Sequence, residues 1–91
     1  MFVIVTYDIP DNKRRTRLHK TLFRFGEPTQ FSVFECIIAE TQFDALRREV
    51  ANVMEPAEDS VRYYQVCDGC RRRLIALGQA QTTSLPPTYI L

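Results

Sequence analysis

No stretch of this chain approaches the roughly 20 consecutive apolar residues that a membrane-spanning helix needs, so a helical membrane protein is excluded at the outset. Cysteine is scarce and odd in number: Cys36, Cys67 and Cys70 are the only three. Met1 runs straight into an apolar segment, with neither a basic leader nor a small-residue cleavage site, so no secretory signal is read and a cytoplasmic location is expected. Together these argue against a disulfide framework. Histidine occurs once, as His19, remote in sequence from Cys67-Asp68-Gly69-Cys70. That C-x-x-C holds half of a tetrahedral metal site or a redox pair, and nothing in the spacing makes Cys36 a third ligand. The reading preferred from sequence is incidental or structural thiols. Internal repeats and low-complexity segments are also missing.

What is present is an ordinary soluble composition. With 91 residues, 45% hydrophobic and 25% charged, the chain can build one domain with one modest core and is not disordered. The net charge of +1 conceals an asymmetry: residues 11–26 carry six basic groups and one acid, +5, leaving six basic and ten acidic groups, −4, elsewhere. Phosphates respond to such a local excess, not to the total.

The chain opens with Phe2-Val3-Ile4-Val5-Thr6-Tyr7, a β-branched and aromatic run that predicts a buried strand ending near Asp8 and Pro10. Asp11 is a plausible N-cap for a helix whose apolar stripe is Leu18, Leu22 and Phe25, stopped by Gly26 and Pro28. Residues 30–39 (QFSVFECIIA) are extended in character and lack Gly or Pro, which leaves one long strand and two short ones equally open. Thr41 and Asp44 resemble a capping box ahead of a second stripe, Phe43, Leu46, Val50 and Val53, closed by Pro56. Residues 61–66 predict a further strand, and residues 74–77 are expected to extend again.

That order predicts an α+β, ferredoxin-like sandwich: an antiparallel sheet with two helices on one face. Residues 1–80 form the domain, and residues 81–91 form a C-terminal tail ending in Tyr89-Ile90-Leu91. A hydrophobic strand so placed is a liability unless it pairs, and adding it to a second copy would make a homodimer with a swapped strand.

Several residues carry chemistry. Lys13, Arg17, Lys20 and Arg24 fall within about 40° of one direction on a helical wheel, opposite the apolar stripe. Arg14 and Arg15 flank that ridge, and no acid interrupts it between Asp11 and Glu27. It is either a solvated face or a seat for a nucleic-acid backbone. Asp8 either caps the next turn or binds a hard divalent cation such as Mg²⁺. One carboxylate is thin for that, whereas two brought together across a two-fold axis would serve, and such a site could activate water against a phosphodiester. Tyr7, Ser32 and Phe34 complete the candidates, with Phe34 either a core residue or a base-stacking platform.

The segments VIVTYDIPDNKRRTRL, QFSVFEC and VRYYQVC resemble, in this order over residues 2–77, the Cas-two family of small CRISPR-associated adaptation proteins. The resemblance implies a ferredoxin-like homodimer whose C-terminal strands pack on the partner's sheet. It implies a scaffold that bridges dimers of the CRISPR-associated integrase along duplex DNA during spacer acquisition. It further implies, as in several members, a Mg²⁺-dependent (or Mn²⁺-dependent) endonuclease acting on single-stranded RNA or double-stranded DNA. Asp8 then binds the metal, shared between subunits, with Tyr7, Arg15, Arg17, Ser32 and Phe34 at matching motif positions. Pro28 departs from the pattern, standing where members often carry an arginine. The other reading of the chain is an unrelated ferredoxin-like RNA-binding or regulatory module.

Overall fold

The β-branched run after Met1 becomes β1, Phe2–Asp8, and alternation of its side chains decides what each face of the sheet contains. In a computed structural model describing residues Met1 to Gly78, β1 is followed by α1 (Asn12–Phe23), β2 (Glu27–Gln30), β3 (Val33–Ile37), α2 (Glu40–Val53), β4 (Ser60–Val66) and α3 (Asp68–Arg72). The sheet is antiparallel in the order β2-β3-β1-β4, which is the expected ferredoxin-like arrangement. Val3 and Val5 of β1 face Cys36 and Phe34 of β3, and Val5 and Tyr7 face Tyr63 and Val61 of β4. With Leu18 and Leu22 of α1 and Phe43, Leu46 and Val50 of α2, these side chains make one core between the sheet and both helices. Each fully buried leucine contributes roughly 1.5–3 kcal/mol.

The segment from residue 30 to 39 holds one strand, β3, and the last residue of another, β2, which begins earlier, at Glu27. Phe31 and Ser32 form a tight turn between β2 and β3, and Ser32 takes φ of 61°, the left-handed conformation usually left to glycine. The Tyr7 amide donates to the Ser32 carbonyl at 3.1 Å, tying that turn to the end of β1. Pro28 fits because β2 lies at the sheet edge. Gly26, just after α1, cannot be replaced cheaply: a Cβ there would stand 2.3 Å from the Glu35 carbonyl oxygen and 2.5 Å from Cys36 Sγ.

Three other expectations are corrected. α2 begins at Glu40, so Thr41 lies inside the helix, and Gln42 closes its N-terminus by accepting from the Ala39 amide at 2.8 Å. Phe25 lies beyond the end of α1 and is half-buried rather than part of a helical stripe. After β4 the chain turns into the short α3, and of residues 74–77 only Ala76 makes a β-bridge. The predicted Tyr89-Ile90-Leu91 strand lies outside the described residues.

One ion pair fixes α1 to the loop before β4. Arg14 Nε donates to Asp59 Oδ2 at 2.8 Å, a second guanidinium nitrogen donates to Asp59 Oδ1 at 3.0 Å and to Glu58 at 2.8 Å, and Asp59 also accepts from the Glu55 amide at 2.8 Å. The Asp59 side chain is 0% exposed, so its charge survives only because these donors replace water. The Arg14 guanidinium holds the Asp59 carboxyl below the usual carboxylate range. Its stabilising effect is therefore complete above the unfolded-state value of about 3.9 and fades as pH falls through the lower folded-state value. Thermal unfolding followed from neutral to acid pH is expected to show this loss, and Asp59→Asn is expected to lower the neutral Tm while flattening the acid limb.

Candidate functional site

Tyr7 and Asp8 are neighbours in sequence at the end of the central strand, and strand alternation sends them to opposite faces. Tyr7 is only 8% exposed and joins the helix-side core. Asp8 is exposed and pairs in register with Ser60 on the helix-free face. The predicted catalytic residues are thus divided within one chain: Tyr7 and Ser32 come together, and Asp8 does not join them.

On the helix side, Tyr7 and Ser32 share a cleft of ≈360 Å³ with Arg15, Thr16 and His19 from α1 and Gln30 and Phe31 from the β2–β3 hairpin. The Tyr7 hydroxyl lies 3.3 Å from His19 Nδ1. Burial raises the phenol above its ordinary value, partly opposed by its hydrogen bond with Ser32 and the nearby charge of Arg15. Burial thus favours the protonated phenol. Arg15 is braced by donating to the Ile9 carbonyl at 2.9 Å and to Asn12, which presets a guanidinium beside the cleft. Phe31 is 94% exposed at its rim.

Phe34 does not stack on bases. It is 0% exposed and lies in an aromatic cluster with His19 at 5.1 Å, Phe23 at 5.5 Å and Tyr7 at 6.4 Å between ring centroids. Its parity on β3 directs it to the helices. The exposed aromatic is Phe31, three residues earlier. His19 and Phe31 were not selected from sequence. His19 follows Arg15 by four residues, the helical spacing that puts both on one face, and Phe31 immediately precedes Ser32, so spacing alone could have found them.

On the helix-free face, Asp8 lines a cleft of ≈260 Å³ with Thr6, Ser60 and Arg62 and the backbone neighbour Tyr7. Arg62, in register with Thr6, has its own proton held more tightly through a hydrogen bond with Tyr64. Among the described residues no group of three His, Cys, Asp or Glu side chains gathers to hold a metal ion. A hard cation such as Mg²⁺ takes several oxygen ligands, and one chain offers a single carboxylate here, so the donor set fits only if a second chain adds its own.

The predicted basic ridge divides as well. Arg14 is consumed by Asp59 and Glu58, and Arg24 pairs with Glu49 of α2, so both serve the fold. Lys13, Arg17 and Lys20 are exposed, and no hydrogen bond or ion pair occupies their side chains among the described residues. Lys13 and Arg17 border a depression of ≈430 Å³ with Asn12 and Thr16.

Replacing Ser32 by Gly, which keeps the left-handed backbone and removes the hydroxyl, is expected to raise the Tyr7 pKa further. NMR titration of labelled tyrosine reads this, with Tyr63, pushed up to about 12 chiefly by burial, as an internal reference that should not move.

Comparison with known proteins gives this geometry a family. The sequence profile of the CRISPR associated protein Cas2 matches residues 1–74. The chain is 38% identical over 96 residues to the CRISPR-associated endoribonuclease Cas2 of Chlorobaculum tepidum, covering 100% of both chains. It is 34% identical over 91 residues to the CRISPR-associated endoribonuclease Cas2 3 of Chloroflexus aurantiacus, covering 100% of this chain and 98% of that one. Among solved structures, Streptococcus pyogenes Cas2 superposes with a TM-score of 0.76 at 30% identity, over 86% of this chain and 100% of that one. A hypothetical protein from Thermus thermophilus superposes with a TM-score of 0.80 at 34% identity, over 91% and 96% of the two chains. With the profile spanning most of its length, its strand order that of the ferredoxin-like sandwich and its YDI and SVFE segments meeting at one hairpin, this chain belongs to the Cas2 family of CRISPR-associated proteins.

Proposed function

We propose that the chain acts as a homodimeric scaffold that binds duplex DNA together with dimers of the CRISPR-associated integrase during spacer acquisition. The observation that carries this reading is the set of three cations, Lys13, Arg17 and Lys20, exposed on the outer face of α1 without acidic partners. Elsewhere on the helix, arginines that serve the fold have found carboxylates. A row of cations spaced by helical turns follows a phosphate backbone without reading its bases, as a scaffold for arbitrary DNA requires. Dimerisation is supported by the sheet face opposite α1 and α2, where Ile37 and Tyr64 are 38% and 47% exposed. The family match removes the reading of an unrelated RNA-binding or regulatory module.

A second reading, hydrolysis of a phosphodiester in single-stranded RNA or double-stranded DNA, is favoured by one observation. Asp8 is exposed at the end of β1 on the face a second copy would meet. Asp8 and Asp8 of the partner subunit would then hold Mg²⁺ or Mn²⁺, supplying Lewis acidity and an activated water at the scissile phosphate. The protein's own contribution lies in Arg62 beside Asp8, whose guanidinium attracts the phosphate, and in Ser60, whose hydroxyl borders the same cleft. The names of the relatives, endoribonuclease and endonuclease, accord with this second activity.

Replacing Lys13, Arg17 and Lys20 by Gln is expected to weaken duplex binding and reduce the salt slope of log K by about 0.9 per lost phosphate contact, roughly 2.7 for three. Fluorescence anisotropy across a salt series measures it, and an unchanged slope would show the ridge to be only a solvated surface.

Asp8→Asn separates the two activities. Metal-dependent cleavage of RNA or DNA should fall to the metal-free background while duplex affinity is retained. Undiminished cleavage by the purified variant would remove Asp8 from the chemistry.

A further inference from the structure

The Cys67–Cys70 pair takes no part in either proposed activity. Both thiols are exposed, at the point where β4 passes into α3. Cys67 Sγ accepts the Cys70 backbone amide at 3.3 Å, and the Cys70 thiol donates to the same sulfur. Residues three apart on a helical turn have Cα atoms about 5 Å apart, computed from the rise and radius of the helix, inside the window of roughly 4.4–6.8 Å that a disulfide spans. Cys67 also lines a cleft of ≈390 Å³ with Met1, Phe2, Gln65, Val66 and Asp68, and Cys70 does not. Cys67 therefore borders a space where a small molecule can sit, and Cys70 follows one helical turn later, its thiol also exposed. The third cysteine differs in every respect: Cys36 is 0% exposed, and burial pushes its thiol up to about 11.

We propose that Cys67 and Cys70 form a thiol–disulfide exchange site for low-molecular-weight disulfides, with Cys67 as the attacking thiol and Cys70 as the resolving thiol. The Cys67 thiolate attacks one sulfur of the disulfide. The sulfur–sulfur bond of the small molecule breaks, a mixed disulfide forms on Cys67, and the departing thiolate takes a proton from solvent. Cys70 then loses its proton to solvent and attacks Cys67 Sγ. The mixed disulfide breaks, the second small thiolate leaves, and the Cys67–Cys70 bond closes. The protein gives up two electrons and the small disulfide is reduced to two thiols. Hydrogen bonds from the Cys70 amide and thiol lower the Cys67 pKa, and the same thiol contact raises that of Cys70, which matches the order of attack. A metal site is the competing use of the pair. It is disfavoured by the ligand count, because two thiols fill half of a tetrahedral shell and no third ligand joins them among the described residues.

The test uses the reduced 91-residue chain with oxidised glutathione as the probe, followed by peptide mapping in a mass spectrometer. The wild-type chain is expected to lose two hydrogens as a Cys67–Cys70 disulfide, with Cys36 unmodified. Cys70→Ser should trap glutathione on Cys67. Cys67→Ser, in which serine keeps the capping oxygen, should react at Cys70 roughly tenfold more slowly or less. Equal rates in the two variants would overturn the proposal. So would glutathione left on the wild-type chain without an internal disulfide, or zinc that co-purifies with the protein and blocks both thiols.

Discussion

β1 runs between β3 and β4, paired with β4 over its whole length and with β3 from Phe2 to Thr6, and this holds its side chains to alternation. A slip of one residue would put Val3, Val5 and Tyr7 in water and Asp8 against the helices, so the register is held by the whole core. The two faces thereby receive different duties. The helix-side face ends in a phenol within reach of a histidine and a serine, and the helix-free face ends in a carboxylate beside an arginine. Any chemistry that needs both ends must be assembled around the strand terminus, not within a single cleft.

The cations of α1 are sorted by the same logic of burial. Arg14 points toward the loop before β4, where Asp59 has lost its water, and the bidentate contact of a planar guanidinium with a carboxylate is the geometry that compensates a desolvated charge. Arg15 turns the other way, to the Ile9 carbonyl and the cleft. Lys13, Arg17 and Lys20 keep the outer face. A helix with so little acid would repel itself in isolation, and the pairs to Asp59, Glu58 and Glu49 relieve part of that repulsion from outside. The excess left over is what a polyanion would meet.

Much of this was legible in the chain itself. A continuous β-branched run located β1, period-3.6 stripes located α1 and α2, residues 61–66 were read as a strand, and the order of elements gave the sandwich. The β2–β3 hairpin was not legible, because its turn uses Ser32 in a left-handed conformation where a sequence reading looks for Gly. The role of Arg14 was hidden because its partner lies 45 positions away and only the folded chain brings them together. Phe34 was ambiguous for a different reason. A strand residue with an aromatic ring suits core and ligand alike, and only pairing with Val5 decides which face it takes.

That decision does not make Phe34 irrelevant to the site. Its ring packs edge-on against His19, which in turn packs edge-on against Phe23, at centroid distances of 5.1 and 4.9 Å. The imidazole is thus fixed by aromatic walls on two sides and by the Tyr7 hydroxyl at Nδ1, leaving little rotational choice. Tyr7 is held by its own strand and, through its amide, sets the hairpin turn that carries Ser32 and Phe31. Phe34 therefore packs beneath the cleft, against the His19 ring whose Nδ1 the Tyr7 hydroxyl approaches. The S-V-F segment thus holds both a residue that lines the cleft, Ser32, and a buried ring packed behind it, Phe34.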